Sequence, residues 1–442
     1  MIAGPDPTSF FHLSDIHFHR KISDTAFDLD QHLRHELERD AVAMAKRLNG
    51  INGVLITGDI AFSGLPEEYE KAANWLKSLC ELIGCPPENV WTVPGNHDVN
   101  RSIIAKSYTL TSSHKTLRFV KTHQEIDAEI QKCFFEDQEG ASSLFKPIQS
   151  YTEFAARYGG GNKENTLHWE YNLKLNDGSA LRLRGLNSTL VSDANDDDGA
   201  NKLILGSAQV TLLRDDGVEY LTLCHHPPNW LQDQDSVEEK LISGAKIQLF
   251  GHKHAQTIRQ IDGSIRIISG ATHPVRVEST WQPRYNILTI KVDGTGEHRQ
   301  LVVTIYPRIW SAGDDQTFKA DYQADGRDFK QCRIPLNNWE QSPDTGAAVT
   351  EDQYRIEPIT AKEDIDTEGE GAMNSARTLA YRFLSLPYHI RIKLAVELEL
   401  LRDEDKRLQD MELFKQIFRR AKEEDKLAKL WELVEKKYRG EK

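Results

Sequence analysis

Five short motifs rich in aspartate, asparagine and histidine stand out along the chain. They are Asp15-Ile16-His17, Gly58-Asp59, Gly95-Asn96-His97-Asp98, His225-His226-Pro227 and Gly251-His252-Lys253-His254. Carboxylate, amide and imidazole groups together suit zinc, manganese, iron or nickel better than calcium or magnesium alone. Two such ions about 3.5–4 Å apart can clamp a phosphate and lower the pKa of a bridging water toward neutrality. The motifs therefore indicate a two-metal hydrolytic site.

Each motif directly follows an apolar run with the pattern of a buried strand. The runs are residues 10–13, 53–57, 90–93, 218–223 and 246–250. The carboxyl ends of strands form the binding crevice of α/β sheets, so we expect the five motifs to converge. Asp15 and His17 lie two apart on a segment taken as extended, and should point the same way. The glycine before Asp59, Asn96 and His252 is expected to let the backbone turn sharply.

The segments between these strands have helical periodicity. Apolar side chains recur every three or four residues at 29–48 and at 69–83, which predicts amphipathic helices. Strands alternating with helices predict an α/β core. Residues 100–178 break this rhythm and are expected to form a mostly helical insertion. The pattern resumes at 180–184, and later runs at 287–290 and 301–305 indicate a second sheet packed on the first.

The chain divides into three predicted parts. Residues 1–340 form a catalytic domain, residues 341–372 an acidic, glycine-containing linker, and residues 373–442 a small all-α domain. Helical spacing is clear around Phe414 and Leu430. Residues 390–401 fit either a strand or a helix, and their Glu, Lys and Leu content together with helical neighbours favours a helix.

Composition narrows the function classes. The chain has 442 residues, 39% hydrophobic content and a formal net charge of −13, which argues against a nucleic-acid coat protein but not against a nuclease. Its five cysteines include no CxxC pair, which argues against a disulfide framework or a zinc ribbon. We find no signal peptide and no apolar run of about 20 residues, so we expect a cytoplasmic enzyme without a membrane partner.

Taken together and in this order, the motifs resemble the calcineurin-like metallophosphoesterase family, and within it the cyclic-nucleotide-type phosphodiesterases. The resemblance covers roughly residues 8–310. It implies a two-sheet βαβ sandwich flanked by helices and a cofactor of two divalent transition-metal ions (Mn, Fe, Zn or Ni), of which we favour manganese. Asp59 would bridge both ions. The remaining implied ligands are Asp15, His17 and His254 for the first ion, and Asn96, His225 and His252 for the second.

The resemblance also implies catalytic roles. His97 would lie beside the phosphate, stabilise charge or protonate the leaving oxygen, and have its ring oriented by Asp98. A hydroxide held between the two ions would attack the phosphorus in line, without a covalent enzyme intermediate.

Several other polar residues have less specific surroundings. His12 and His273 are interpreted as structural, and His226 as either structural or in contact with phosphate. His19 and Arg101 flank motifs and are candidates for substrate contact. The acidic run 193–199 lacks the spacing of a calcium loop and is interpreted as a solvated loop. The glycines at 159–161 lack the lysine of a P-loop and are interpreted as coil.

Three functions stay open at this point. The preferred one is hydrolysis of a phosphodiester, a cyclic nucleotide or related nucleotide. A metal-dependent DNA or RNA nuclease is the alternative chemistry, and a non-catalytic signalling module is the alternative class. The C-terminal helices resemble adaptor domains of bacterial conflict-system effectors, which implies a defence effector recruited through a protein partner. A simple packing appendage is the other interpretation of those helices.

Overall fold

The computed structural model describes most of the chain. It covers residues 7–25, 28, 30–120, 122–159, 165–196, 202–273, 282–312, 316–339, 383, 388–402, 410–424 and 426–438. Backbone contacts divide the chain into two compact units, Met1–Ala347 and Ala348–Lys442. The acidic linker predicted at 341–372 lies outside the described residues.

Strands and helices alternate through the first unit. The strands are β1 (Thr8–Leu13), β2 (Gly53–Ile56), β3 (Val90–Thr92), β4 (His168–Lys174), β5 (Ala180–Leu186), β6 (Val218–Cys224), β7 (Ala245–Phe250), β8 (Thr257–Ile261), β9 (Ser264–Ile268), β10 (Arg284–Asp293), β11 (Gln300–Ser311), β12 (Thr317–Ala320) and β13 (Lys330–Pro335). The helices are α1 (Gln31–Arg47), α2 (Pro66–Ile83), α3 (Arg101–Ala105), α4 (Tyr108–Phe119), α5 (His123–Glu136), α6 (Gln138–Phe145), α7 (Gln149–Ala155), α8 (Ser207–Val210) and α9 (Gln234–Gly244).

The strands form two mixed sheets with helices on their outer faces. The first sheet has the order β12-β11-β10-β1-β2-β3, with β13 also paired to β11, and the second has the order β4-β5-β6-β7-β9-β8. Strands β1, β2 and β3 run parallel, as do β5, β6 and β7. The carboxyl ends of each parallel set therefore lie at one edge of its sheet. This architecture confirms the α/β two-sheet sandwich.

Alternating apolar residues fill two separate cores. Phe10 of β1 and Leu288 of β10 belong to the core that also contains Leu183 and Leu221 of the second sheet, so it lies between the sheets. The next residue along β1, Phe11, belongs to the core that includes Leu37 and other helical residues. Side chains alternate across a strand, so both faces of β1 are buried. Continuous apolar runs such as 10–13 are the result.

One sheet assignment made from the sequence is wrong. The runs at 287–290 and 301–305 do not build the second sheet, because β10 pairs antiparallel with β1, and β11 pairs with β10. The second sheet is instead formed by β4 to β9, of which β4, β8 and β9 were not recognised. The stretch 100–178 is helical from α3 to α7, and then ends in β4, whose partner is β5.

The described part of the second unit is helical, as expected for a small all-α domain. Its helices are α10 (Tyr388–Glu397), α11 (Asp410–Glu423) and α12 (Leu427–Tyr438). Of the residues 390–401, whose pattern fits either a strand or a helix, 390–397 are helical and 398–401 follow the end of the helix. A separate core joins the three helices and includes Leu394, Phe414, Ile417 and Leu430. Phe383 packs into it, with its ring centroid 5.7 Å from that of Phe414.

Candidate metal centre

The five motifs converge at the carboxyl ends of five strands. Each follows β1, β2, β3, β6 or β7 within four residues. Within the described part of the chain, four groups of three side chains hold their potential ligand atoms within 4.8 Å of one another. All four groups are drawn from these motifs: Asp15 with His17 and His254; Asp15 with Asp59 and His225; His17 with Asp59 and His97; His225 with His226 and His252.

The predicted ligands form two adjacent groups. Asp15 Oδ1 lies 3.4 Å from His254 Nε2, in the group that also contains His17. Asn96 Oδ1 lies 3.0 Å from His225 Nε2 and 3.1 Å from His252 Nδ1, which defines the second group.

Asp59 lies between the two groups. Its Oδ2 atom is 3.3 Å from His225 Nε2 and 4.0 Å from His17 Nε2. Its other oxygen, Oδ1, accepts a hydrogen bond of 2.8 Å from the backbone N–H of His97, which fixes the orientation of the carboxylate. One oxygen of Asp59 is thus positioned to serve both groups.

The backbone at these residues is strained. Asp15, His17, Asp59, His252 and His254 all have positive φ angles, between 53° and 68°. Left-handed backbone is uncommon for residues other than glycine and concentrates at functional sites, where the surrounding structure enforces it. The expectation that Asp15 and His17 lie on an extended segment is therefore wrong. Their side chains meet because two left-handed residues flank Ile16.

The glycines before the ligands matter mainly because they let neighbouring loops pack closely, and less because they let the backbone turn. Gly58 has φ of 89° and so needs left-handed backbone, as expected. Gly95 does not, with φ of −112°. A Cβ atom on Gly95 would lie 2.1 Å from Asp59 Oδ1, and one on Gly251 would lie 2.1 Å from Ser14 Oγ. Both loops pack so tightly on their neighbours that no side chain fits.

Burial and mutual charge set the protonation states. Burial lowers the pKa of His17 and of His252 to about 3, so both rings are neutral at neutral pH. Burial acts against ionisation of Asp15 and Asp59, but neighbouring histidines outweigh it and lower the pKa of both carboxyls. Neutral imidazole and ionised carboxylate are the forms that bind metals.

His225 is the exception among the histidines. Burial lowers its pKa, but the charges of Asp59 and Asp15 prevail and raise the pKa to about 9. The two carboxylates thus favour a cation at this position. The Nδ1 atom of His225 lies 2.7 Å from the backbone oxygen of Thr57, which leaves Nε2 directed at Asn96 and Asp59. A metal-binding histidine is ordinarily oriented in this way, by a hydrogen bond from its other nitrogen.

The donor set fits divalent metal ions. Both ring nitrogens of His17 are buried and have no hydrogen-bond partner within the described residues. A buried polar atom without a partner is destabilising. A cation beside His17 would remove that penalty and would also neutralise the adjacent carboxylates of Asp15 and Asp59.

His97 lies beside the donor atoms, and its orientation differs from the expectation. Its ring is partly buried, and its centroid is 4.6 Å from that of His17. Its Nδ1 atom lies 2.8 Å from the backbone oxygen of Phe62. The expectation that Asp98 orients this ring is wrong, because the Asp98 carboxylate is occupied elsewhere.

Asp98 instead joins the two loops that carry Asp59 and Asn96. Its carboxylate accepts hydrogen bonds from the backbone N–H groups of Ala61 and Gly95, both at 2.9 Å, and of Ile60 at 3.1 Å. Tyr69 donates its hydroxyl to the same carboxylate at 2.9 Å. Asp98 is therefore a positioning residue beneath the centre.

The remaining polar residues have distinct surroundings. His12 Nε2 lies 3.0 Å from Thr57 Oγ1, and His273 Nε2 lies 2.9 Å from Asp30 Oδ2, consistent with structural roles. His226 is fully buried, with Nδ1 2.8 Å from Ser188 Oγ.

Two flanking residues lie close to the motifs in the chain. The His19 ring packs on Phe62 with centroids 5.0 Å apart. Arg101 begins α3, and its buried Nη2 atom has no hydrogen-bond partner within the described residues.

Sequence reasoning missed the residues that hold the motifs in place. Ser14 donates its hydroxyl to Asp15 Oδ2 at 2.5 Å, and the backbone oxygens of Thr57 and Phe62 fix the rings of His225 and His97. A serine next to a ligand aspartate is a weak signal in the sequence. A backbone oxygen gives no signal at all.

Two family models match the chain. The model described as calcineurin-like phosphoesterase matches residues 8–256. The chain belongs to the calcineurin-like phosphoesterase family. Membership fits the two adjacent groups of metal donors described above. A second model, described as GTPase-associated adaptor domain, matches residues 375–436 and confirms the adaptor resemblance of the C-terminal helices.

Individual relatives of the phosphoesterase are distant. An uncharacterized metallophosphoesterase-like protein of Bacillus subtilis, YydB, is 26% identical over 192 residues, which is 43% of this chain and 35% of that protein. The match thus spans about a third of the curated relative. Among solved structures, yellow lupin purple acid phosphatase is 10% identical with a TM-score of 0.37 and covers 76% of this chain and 55% of that one. A Vps29 mutant of Entamoeba histolytica is 12% identical with a TM-score of 0.28 and covers 75% and 100%, respectively.

Removing the Asp98 carboxylate should weaken metal binding without touching a ligand. Asp98→Ala leaves three backbone N–H groups without an acceptor and frees the loops of Asp59 and Asn96. Changes at residues that support metal ligands typically lower metal affinity by about 10–100-fold. We expect a loss of that size for Mn²⁺, measured by titration calorimetry. Tyr69→Phe removes a single hydrogen bond to the same carboxylate and should lose much less. Equal affinity in Asp98→Ala and the wild type would contradict the positioning role.

Proposed function

We propose that this phosphoesterase hydrolyses a phosphodiester of a nucleotide at a centre of two divalent metal ions. The observation that carries the proposal is the position of Asp59 between two groups of donors. Asp15, His17 and His254 would hold one ion, and Asn96, His225 and His252 the other. Bound at these residues, divalent ions supply a hydroxide nucleophile at neutral pH and neutralise charge on the phosphate.

The chain's own residues provide the other requirements of the reaction. The Asp59 carboxylate, which is oriented by the His97 backbone N–H, links the two donor groups. The His97 ring is fixed at Nδ1 by the Phe62 carbonyl, which leaves Nε2 for the substrate. There it can stabilise charge on the phosphate or give a proton to the leaving oxygen. The Arg101 guanidinium, four residues further on, is a candidate for contact with a phosphate oxygen.

An exposed aromatic ring at this site supports a nucleotide as the substrate. The Phe62 side chain is 39% exposed and lies 5.4 Å from the His97 ring, measured between centroids. The His19 ring lies 5.0 Å from the same Phe62 ring, again between centroids. Exposed aromatic rings stack on nucleobases, at about 1–3 kcal/mol per base. A base bound there would place its phosphate near His97.

The nuclease alternative requires a basic groove lined by the helical insertion. Two arginines of this insertion are already paired with carboxylates. Arg118 contacts Asp193 and Asp196, and Arg157 contacts Glu70. These pairs favour the smaller substrate.

A substrate panel tests the assignment. Purified full-length protein with Mn²⁺ should release product from bis(p-nitrophenyl) phosphate and from a cyclic nucleotide, and much less from single-stranded DNA. Cleavage of DNA alone would overturn the small-substrate assignment in favour of the nuclease. Metal binding without hydrolysis of any of the three would favour the non-catalytic signalling module.

We also propose that the second unit recruits the phosphoesterase to a protein partner, as in a bacterial defence effector. The match to an adaptor-domain model supports this role, as does a core of its own around Phe414 and Ile417. All seven proposed metal ligands lie in the first unit. In the described part of the chain, no helix is both long and apolar enough to cross a bilayer.

Deleting residues 348–442 should therefore leave catalysis intact. We expect unchanged kcat and KM for bis(p-nitrophenyl) phosphate, because the first unit holds the entire proposed centre and has its own core. Thermal unfolding of the truncated protein checks that it is folded. A lower kcat in a folded truncation would show that the second unit contributes to the site and would contradict a purely recruiting role.

A further inference from the structure

The second sheet carries a cavity of about 410 Å³ at the end that bears the motifs after β6 and β7. Its lining comes from the loops after β6 and β7, the start of α9, and the hairpin of β8 and β9, and includes Pro227, Asp235, Glu238, Lys253, Arg259 and Arg266. This volume is within the range of small-molecule sites, roughly 300–1,000 Å³. The cavity is therefore large enough for a phosphate together with part of the group that carries it.

Two lining residues belong to the motifs themselves. Lys253 lies between His252 and His254, and Pro227 directly follows His226. The Trp230 ring, at the end of the same loop, lies 4.1 Å from the His252 ring between centroids. A substrate whose reacting phosphate is at the centre can thus extend into the cavity.

The cavity has a surplus of positive charge in a chain whose net charge is −13. Arg266 is already engaged, with 2.8 Å to Glu238 Oε2 and 2.7 Å to Gln248 Oε1. Lys253 and Arg259 are exposed and have no hydrogen bond or ion pair from their side chains within the described residues. Asp235 is the remaining acidic residue of the lining. Two cations are therefore available to a ligand.

Two arginines of the lining, Arg259 and Arg266, face each other across the β8–β9 hairpin. Arg259 of β8 lies directly opposite Arg266 of β9 in the antiparallel register. Like charges at directly opposed positions destabilise a sheet. An anion between the hairpin and Lys253 would relieve the repulsion.

We propose that this cavity binds a second phosphate group of the substrate while the first lies at the metal centre. The inference rests on the proposed function and narrows it to nucleotides with at least two phosphates. Guanidinium and ammonium groups are the usual protein partners of phosphate. Asn229, Gln234 and Thr257 also line the cavity and add polar groups for the ligand atoms around the phosphate. The second phosphate can belong to a small dinucleotide or to the next link of an oligonucleotide.

The test compares two probes that differ by one phosphate. They are the p-nitrophenyl ester of thymidine 5′-phosphate and the same compound with a 3′-phosphate, assayed with full-length protein and Mn²⁺. We expect the wild type to have a KM roughly tenfold lower for the doubly phosphorylated probe, because a hydrogen-bonded charge pair contributes about one decade. Arg259→Ala should bring the KM values of the two probes close together, and Arg259→Lys should retain part of the difference.

Arg333→Ala is the matched control. Arg333 is an exposed arginine on β13 of the other sheet, and its partner is Asp293. Its substitution should leave the KM ratio at the wild-type value. Equal ratios in the wild type and Arg259→Ala, or a wild-type ratio of one, would overturn the proposal.

Two further arms separate the remaining outcomes. A cyclic dinucleotide and a single-stranded tetranucleotide are each tested as a competitive inhibitor of the wild type and of Arg259→Ala. The inhibitor that loses potency in Arg259→Ala identifies the source of the second phosphate. Release of nitrophenol from neither probe would contradict the proposed function itself. Calorimetry with the same two probes would then still decide the cavity assignment, since tighter binding of the doubly phosphorylated probe must depend on Arg259.

Discussion

Asp59→Asn should abolish hydrolysis and reduce the metal content of the purified protein from two ions toward one or none. One oxygen of the Asp59 carboxylate, Oδ2, lies between the two donor groups. An amide has no negative charge, and its nitrogen cannot bind a cation. A bound ion contributes several kcal/mol of transition-state stabilisation. Since each 1.4 kcal/mol or so is one decade in rate, we expect kcat/KM to fall by on the order of 10³-fold or more.

Asp177→Asn is the matched control for this change. Asp177 lies in the turn before β5 and pairs with Arg299. This turn is at the amino end of the strand, whereas the metal centre is at the carboxyl ends. The control should keep full metal content and activity. Metal analysis by mass spectrometry and hydrolysis of bis(p-nitrophenyl) phosphate give the two measurements. A folded Asp59→Asn protein that retains both ions and turnover would show that Asp59 does not bridge the donor groups.

The convergence of the motifs could be predicted because it depends on local patterns. Apolar runs such as 53–57 and 246–250 predict strands, and a polar motif follows the carboxyl end of each run. Parallel strands bring those ends to one edge of each sheet, so Asp59 comes beside Asn96 in the first sheet and His252 beside His225 in the second. Each step depends on strand periodicity or chain direction. Both can be read without knowledge of the tertiary structure.

The partner of a strand is harder to predict than the strand itself. The run at 287–290 has the alternation of any buried strand, and only the observed register shows that Ile287 pairs with Phe11 of the first sheet. The edge hairpin of β8 and β9 contains Arg259, Asp262 and Arg266, and this polar composition concealed it. Pairing is a long-range choice made by side-chain packing, which a single sequence does not record.

Backbone conformation at the centre was also beyond sequence reasoning. Asp15 and His17 were taken as extended, but both have φ of 53°. Such strain of about 1–3 kcal/mol per residue persists only where the surrounding structure enforces it. Here the backbone N–H groups of Ile16 and His17 both donate to the Asp59 carbonyl, at 2.8 and 3.0 Å. The two ligand loops therefore stabilise each other, and that coupling exists only in the folded chain.

The second large effect is expected from His97, and its size should depend on the leaving group. His97→Asn keeps the metal ligands but removes the group that we place beside the leaving oxygen. General acid catalysis contributes about 10²–10⁴-fold. A p-nitrophenolate leaving group departs without a proton, whereas a sugar alkoxide requires one. We therefore expect a small loss with bis(p-nitrophenyl) phosphate and a loss of 10²-fold or more with a nucleotide phosphodiester.

Metal content distinguishes this role from that of a ligand. His97→Asn should retain two ions per chain, in contrast to Asp59→Asn, because the seven proposed ligands are unchanged and the His97 ring is held through Nδ1 by the Phe62 carbonyl. His298→Asn, an exposed histidine in the turn before β11, should match the wild type with both substrates. Equal losses of His97→Asn on both substrates, with both ions retained, would favour stabilisation of phosphate charge over protonation. A lost ion would instead assign His97 to the metal centre, since the group that it forms with His17 and Asp59 has the required spacing.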